Sequence, residues 1–337
     1  MQVYPSRLVK LALAWMVAAF ALSGCGGSPA MPTSQPAQSG ETPAPAAATI
    51  TISGAFALYP MVVRWAEEYK AAYPEVQFDI SAGGAGKGMS DVLAGAVDVA
   101  MVSREIRQEE ADQGATGFAV AKDAVLATVN ANNPVLDQLL VVGLTPAHGA
   151  EVWINGTITT WGQLVGTDNA DRISVYTRSD SSGAGEMWAI FLGGKAQEDL
   201  QQGTNIAVQG DPGLAEAVRQ DPLGIGYNNL NFAYDAATGR PIEGLRVIPL
   251  DLNGDGKIAD DEDFYADKAS LTAAIADGGY PSPPARALYL VTKGAPSDTV
   301  AAFIRWVLTD GQAFVDETGY VQLAEAQLQA SLTALGE

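Results

Sequence analysis

The chain has one cysteine, one histidine and fewer than half as many basic as acidic residues, 19 Lys+Arg against 39 Asp+Glu. Each scarcity excludes something. A lone cysteine, Cys25, rules out a disulfide within one chain. A lone histidine, His148, in the turn-like "TPAHGAE", leaves little for a His-based triad or a catalytic zinc site. The acidic balance argues against nucleic acid as a partner. It does not argue against an anionic ligand, because backbone N–H groups and one arginine hold an anion at short range while surface charge is screened. The longest apolar run, Leu11 to Leu22, is too short to cross a bilayer as a helix.

That run lies in "MQVYPSRLVKLALAWMVAAFALSGCGG", behind Arg7 and Lys10. A positive start and a short apolar stretch read as a signal peptide over residues 1–24. "LSGC" resembles the lipobox of bacterial lipoproteins, which implies acylation of Cys25; the alternative is an ordinary secretory signal with an incidental cysteine. Residues 25–48, rich in Pro, Ala, Ser and Gly, read as a disordered tether with a reach of roughly 25–30 Å. The folded part would then stand beside a membrane without entering it.

From Thr49 the pattern is strand, helix, strand, helix, strand: "TITIS", "PMVVRWAEEYKAA", "VQFDIS", "AGGAGKGMSDVLAG" and "VDVAMVS". Met61, Val62, Trp65 and Tyr69 share one face of the first helix, and Pro60 suits its first turn. A second series runs from "DAVLATVNANNP" through "RISVYT", "GAGEMWAIFLG", "DPGLAEAVRQ" and "GIGY". Last come the strand "ARALYLVT" and a long helix over "SDTVAAFIRWVLTDGQAFV", with Phe303, Trp306 and Val307 toward a core. No internal repeat is apparent. The expectation is an α/β fold of two lobes, each a mostly parallel sheet flanked by helices. Residues 49–124 and 286–337 form one lobe and 125–285 the other.

Three turn-rich segments each follow a strand and open a helix: "SGAFALYP" (53–60), "SAGGAGKG" (81–88) and "RSDSSGAG" (178–185). Helix N-termini at the carboxyl ends of parallel strands are where open α/β sheets bind ligands, and their free N–H groups favour anions. Arg178 and the serines of the third turn add a guanidinium and hydroxyls.

At these residues the chain resembles the phosphate-binding substrate-binding proteins of bacterial ABC importers, of the periplasmic-binding-protein-like superfamily. "GAFALYP" (54–60), "AGGAGKG" (82–88), "DVAMVSRE" (98–105), "RSDSSGAG" (178–185) and "GIGY" (224–227) occur in that family's order, as do "GTITTWGQL" (156–164) and "GQAFVDETGYVQL" (311–323). The resemblance implies a type II binding-protein fold, two crossing hinge strands and a cleft that closes on an oxyanion, with a permease as partner and a monomer as the working unit. It places ligand contacts at Phe56, Ala57, Gly83, Ser103, Arg104, Arg178, Asp180, Ser182, Gly183 and Ala184. Here the chain departs from its relatives: Phe56, Ala57, Gly83 and Ala184 stand where hydroxyl-bearing residues are usual. At roughly 0.5–1.5 kcal/mol per neutral hydrogen bond, one loss in each of the three turns would cost about one to three decades in affinity. Either Lys87 and Arg104 compensate or the ligand is not plain phosphate. Discrimination of phosphate from sulfate needs a carboxylate to accept the phosphate proton; Asp180 and Glu105 are the candidates, though Asp180 could equally orient Arg178.

A second pattern, "DLNGDGKIADDE" (251–262), matches a calcium loop. Asp251, Asn253 and Asp255 take its first, third and fifth positions, Lys257 would give its carbonyl and Glu262 a bidentate carboxylate. The expectation is one structural Ca2+ clamping an insertion over 251–263; the alternative is a solvated acidic loop. For the whole protein the leading expectation is a carrier. The alternatives are an anchored sensor or adhesion module that has kept the fold and, further off, a phosphate-ester hydrolase using Ser182 and Asp180.

Overall fold

The structure is a computed structural model that describes residues 48–201 and 203–336. The expected signal peptide, Cys25 and all of the tether but its last residue, Ala48, lie outside the described residues. Among the described residues no helix is long and apolar enough to cross a membrane.

In chain order the first lobe is built from β1 (Ala48–Gly54), α1 (Tyr59–Ala72), β2 (Val76–Ala82), α2 (Ala85–Leu93), β3 (Val99–Val102) and the single turn α3 (Gln108–Ala111). The long strand β4 (Ala115–Asn130) leads out of it. The second lobe comprises α4 (Leu136–Val142), α5 (Pro146–Trp153), α6 (Trp161–Val165), β5 (Ser174–Arg178), α7 (Gly183–Phe191), β6 (Ile206–Val208), α8 (Gly210–Gln220), β7 (Gly224–Asn229), β8 (Leu245–Val247) and α9 (Lys268–Asp277). Strand β9 (Ala285–Lys293) returns to the first lobe, which α10 (Asp298–Leu308) and α11 (Glu325–Leu335) complete.

The strands follow the order β2-β1-β3-β9-β4-β7-β5-β6, with β8 also on β4. Within the lobes β1 runs parallel to β2 and β3, and β5 parallel to β6 and β7. The antiparallel pairings all involve β4 or β9, the two strands that connect the lobes. β4 pairs with β9 from Ala115 to Ala124 and with β7 from Val125 to Val129. Its first half mixes buried and half-exposed residues, with a register irregularity between Ala119 and Ala121, and its second half is buried on both faces.

Two hydrophobic cores result. One gathers Ile50, Trp65, Val99, Phe118, Leu288 and Phe303, the other Val125, Trp153, Trp161, Trp188, Ile225 and Leu271. The α1 face of Met61, Val62, Trp65 and Tyr69 is buried in the first, and Trp65 Nε1 donates to Gly311 O at 2.8 Å. The stretch expected to be one helix over 297–315 is broken. α10 ends at Leu308, Thr309 leaves helical geometry (φ −119°, ψ −96°), and a 3-10 turn covers Asp310–Phe314. The Thr309 hydroxyl caps the end by donating to Arg305 O at 2.9 Å, and the turn brings Gly311 under both tryptophans, Trp65 and Trp306.

Candidate functional site

Each of the three turns follows a parallel strand and precedes a helix: Gly54–Leu58 before α1, Gly83–Gly84 before α2, and Ser179–Ser182 before α7. The sequence makes the first turn tight. Gly54 has φ +136°, and a β-carbon on it would lie 2.2 Å from Met101 O, so only glycine lets the turn settle against β3. The first N–H groups of a helix have no acceptor inside it, and these helix starts face one another across the lobes. Gly86 N–H donates to Ser181 O at 3.1 Å. A β-carbon on Gly183 would lie 2.3 Å from Ser103 Oγ.

Arg178, the last residue of β5, is the centre of the arrangement and is 1% exposed. Its Nε donates to Asp180 Oδ1 at 2.8 Å and its Nη2 to Asp180 Oδ2 at 2.5 Å, a two-pronged pair. Its Nη1 donates to Asp211 Oδ2. The Phe56 ring from the other lobe covers the guanidinium, with Cζ 5.4 Å from the ring centre. Burial works against the charge, but Asp211 and Asp180 more than offset it, so the guanidinium is held above its ordinary range. Burial likewise raises the Asp180 carboxyl, and the Arg178 bonds with the Gly210 N–H (2.8 Å) overcome this and hold it below the usual range.

Gln197 ties the third turn together. Its Nε2 donates to Asp180 O at 2.6 Å and Arg178 O at 3.2 Å, and its Oε1 accepts from Ser182 N–H at 2.7 Å. Ser182 Oγ caps α7 by accepting from Gly185 N–H at 3.2 Å. Gly183 and Ala184 are then the first two residues of α7, with N–H groups directed out of the helix.

Phe56, Ala57, Gly83, Ser103, Arg178, Asp180, Ser182, Gly183 and Ala184 lie on these turns or on the end of β3 facing them. Arg104 is beside them, but Glu110 takes its fork: Nη2 to Oε1 at 2.6 Å and Nη1 to Oε2 at 2.9 Å, with Glu186 3.5 Å from Nε. Lys87 lays its stem over Gly83 and pairs its ammonium with Asp91. Neither cation supplies a free charge to replace the missing hydroxyls. Glu105 accepts from Tyr289 OH at 2.9 Å, on the side of the hinge strand β9. Sequence reasoning missed Asp211, Asn229, Gln197 and Glu186. Asp211 opens "DPGLAEAVRQ", where an N-terminal acid reads as an ordinary helix start, and the other three carry no local signal.

The 251–262 loop holds its carboxylates on its own backbone. Asp251 Oδ1 and Oδ2 accept from Gly254 and Gly256 N–H (2.7 and 2.9 Å), Asn253 Oδ1 from Asp255 N–H (2.8 Å), and Asp255 Oδ1 from Lys257 N–H (3.0 Å). Glu262 reaches back to Leu252 N–H at 3.0 Å. Among the described residues no three His, Cys, Asp or Glu side chains converge at metal-binding distance. The donor set of three carboxylates, one amide and one carbonyl suits calcium, and an ion would have to draw those oxygens together.

Comparison with known proteins agrees with this architecture. The family described as "PBP superfamily domain" matches residues 39–311. The phosphate-binding protein PstS of Bacillus subtilis (strain 168) is 26% identical over 254 residues, 70% of this chain and 76% of the relative. PstS of Pseudomonas aeruginosa PAO1 is 25% identical over 304 residues, covering 84% and 85%. Among solved structures, a putative phosphate ABC transporter substrate-binding protein from Clostridium perfringens, crystallised with phosphate, superposes with a TM-score of 0.66 at 22% identity, covering 82% of this chain and 100% of that one. An ABC-type phosphate transport receptor from Vibrio cholerae gives 0.59 at 23%, covering 81% and 100%. The strand order, the two cores joined by β4 and β9, and the family match over residues 39–311 together make this chain a member of the PBP superfamily.

Proposed function

We propose that the chain captures an oxyanion, inorganic phosphate, between its lobes and delivers it to the permease of an ABC importer. The observation that carries this reading is the meeting of the α2 and α7 N-termini across the cleft beside Arg178, whose fork Asp180 fixes. Relatives named as phosphate-binding proteins support it. With Arg178 paired to two carboxylates, the backbone N–H groups supply most of the binding. The protein works outside the cytoplasm as a monomer, anchored by lipid on Cys25, and binds without turning its ligand over.

One observation favours a second reading. Phe56, an aromatic where the family resemblance leads one to expect a hydroxyl, lies on Arg178 and abuts Gly210 of the facing lobe, which suits a changed ligand or a sensor that has kept the fold. Calcium remains part of the proposal: Asp251, Asn253, Asp255, the Lys257 carbonyl and Glu262 would hold one ion that stiffens the 251–262 loop. Calorimetric titration of ligand-stripped protein with phosphate, sulfate and molybdate, each with calcium and with chelator, tests the ligand and the part calcium plays in holding it. Tight phosphate binding without sulfate binding is expected. No binding of any of the three would overturn the carrier reading in favour of the second.

A further inference from the structure

Behind the cleft, where β4 and β9 cross between the lobes, Asp123 stands opposite Arg286 in register. Both are buried, 2% and 6% exposed. Their ion pair is loose, Arg286 Nη2 to Asp123 Oδ2 at 3.5 Å. Among the described residues Asp123 Oδ2 and Arg286 Nη1 have no hydrogen-bond partner. Arg286 spends its remaining donors elsewhere: Nη2 bonds Asn229 Oδ1, and Nε bonds Ser103 O at 3.3 Å, on the buried residue that packs against Gly183. Asn229 in turn donates through Nδ2 to Asp211 Oδ1 at 2.7 Å, and Asp211 Oδ2 accepts from Arg178. A continuous buried line therefore runs Asp123, Arg286, Asn229, Asp211, Arg178.

This line, the partly buried Asp180 and the buried Lys268 hold three carboxylates against two guanidiniums and one ammonium, balanced before any ligand arrives. A dianion entering beside Arg178 adds negative charge where the dielectric is low, and the cheapest relief is a proton on one carboxylate. Asp180 and Asp211 are in direct ion pairs with Arg178. Asp123 is held less closely: its Oδ1 accepts from Ala124 N–H at 2.7 Å, the Leu230 N–H also faces the carboxylate, and Oδ2 has only the long Arg286 pair. The other groups facing it are Lys268 of α9, bonded to Asn231 and Thr318 O, Asp211 of α8, the Tyr280 phenol ahead of β9 and the Tyr320 phenol ahead of α11.

We propose that Asp123 sets the affinity of the cleft from the hinge, acting through Arg286, and takes up a proton from solvent as the anion enters. Its carboxyl already lies within reach of neutral pH: burial, opposed by Arg286, pushes it up to about 6. The inference rests on the reading of the cleft as an anion site and treats Asp123 as a positioning residue that never touches the ligand. Its signature is a gain of function. Asp123→Asn fixes the uncharged form, so a residue with a merely structural role would weaken binding on this change, whereas Asp123 in the proposed role strengthens it at high pH.

The test is calorimetric titration of the wild type and Asp123→Asn with inorganic phosphate between about pH 5 and pH 8. The second ionisation of phosphate is common to both proteins and cancels in their ratio. For each pH unit by which the anion raises the Asp123 carboxyl, the wild type loses about tenfold in affinity across this range relative to the variant. A variant that binds more weakly at every pH, or with the wild-type slope, overturns the inference alone. A wild type that binds no phosphate at any pH overturns the proposed function and the inference with it. Should the variant fail to fold, carbon-13 titration of the Asp123 carboxyl in the wild type decides: a midpoint raised by phosphate supports the proposal and an unmoved one overturns it.

Discussion

Arg178 meets two carboxylates and an aromatic face, so its charge is largely balanced before any ligand arrives. In the proposed site its value is geometric: the Asp180 fork and Gln197 fix the turn from which Gly183 and Ala184 would present their N–H groups. Truncation would loosen that turn and leave Asp180 and Asp211 buried without a cation. Arg178→Ala is accordingly expected to weaken phosphate binding at least tenfold and to destabilise the fold by about 3–5 kcal/mol, the usual result of breaking a buried pair from one side. Calorimetry reads the first and urea unfolding the second. Unchanged affinity would remove Arg178 from the site.

At the scale of elements, α3 shows how a single helical turn is held. Glu110 grips Arg104 with both oxygens and accepts from Arg107 N–H at 2.9 Å, fixing α3 to the chain leaving β3. Burial raises the Glu110 carboxyl, but Arg104 and that N–H overcome it, so the carboxyl lies below its ordinary range. A depressed carboxyl contributes stability that is whole above its unfolded pKa and is lost as pH falls through the folded one. Glu110→Gln should therefore unfold at lower urea than the wild type at pH 7, and the gap should narrow as pH is taken below about 4. A gap constant with pH would mean that the ion pair contributes nothing. The sequence showed such elements unevenly. Helices with one apolar face, such as α1, and Gly-rich turns at strand ends are written in adjacent residues, and so is the pattern of three anion-facing helix starts. The break at Thr309 is not, because it depends on Trp65 reaching Gly311 from a helix about 250 residues earlier. Asp211, Asn229 and Arg286 were hidden for the same reason: each is ordinary in its own segment and acquires a role only when β4, β7, α8 and β9 are packed together.

For the whole molecule the dominant quantity is charge. The whole chain carries a formal net charge of −20 around a cleft proposed to take an anion, and the two act over different distances. The field of the surface carboxylates extends about a Debye length, ~8 Å at physiological salt and ~30 Å at 0.01 M. The N–H groups of the turns act only within hydrogen-bond reach. On the proposed function, phosphate approaching at low salt would be repelled before it meets its site, the reverse of electrostatic steering. Its association rate should therefore rise as salt is raised from about 0.01 to 0.15 M. Dissociation depends on reopening the lobes. The contacts across the lobes there include the Gly86–Ser181 hydrogen bond, the Phe56 ring on Arg178, and Glu186 with the buried Arg104 and the half-exposed Arg107; of these only the Arg107 pair is readily screened, and it is worth little in any case. Stopped-flow tryptophan fluorescence, from Trp65, Trp153, Trp161, Trp188 and Trp306, can separate the two rates. An association rate that falls with salt would mean that the potential at the cleft mouth is positive despite the net charge, and would move the search for phosphate-guiding cations to Lys87, Arg104 and Arg107.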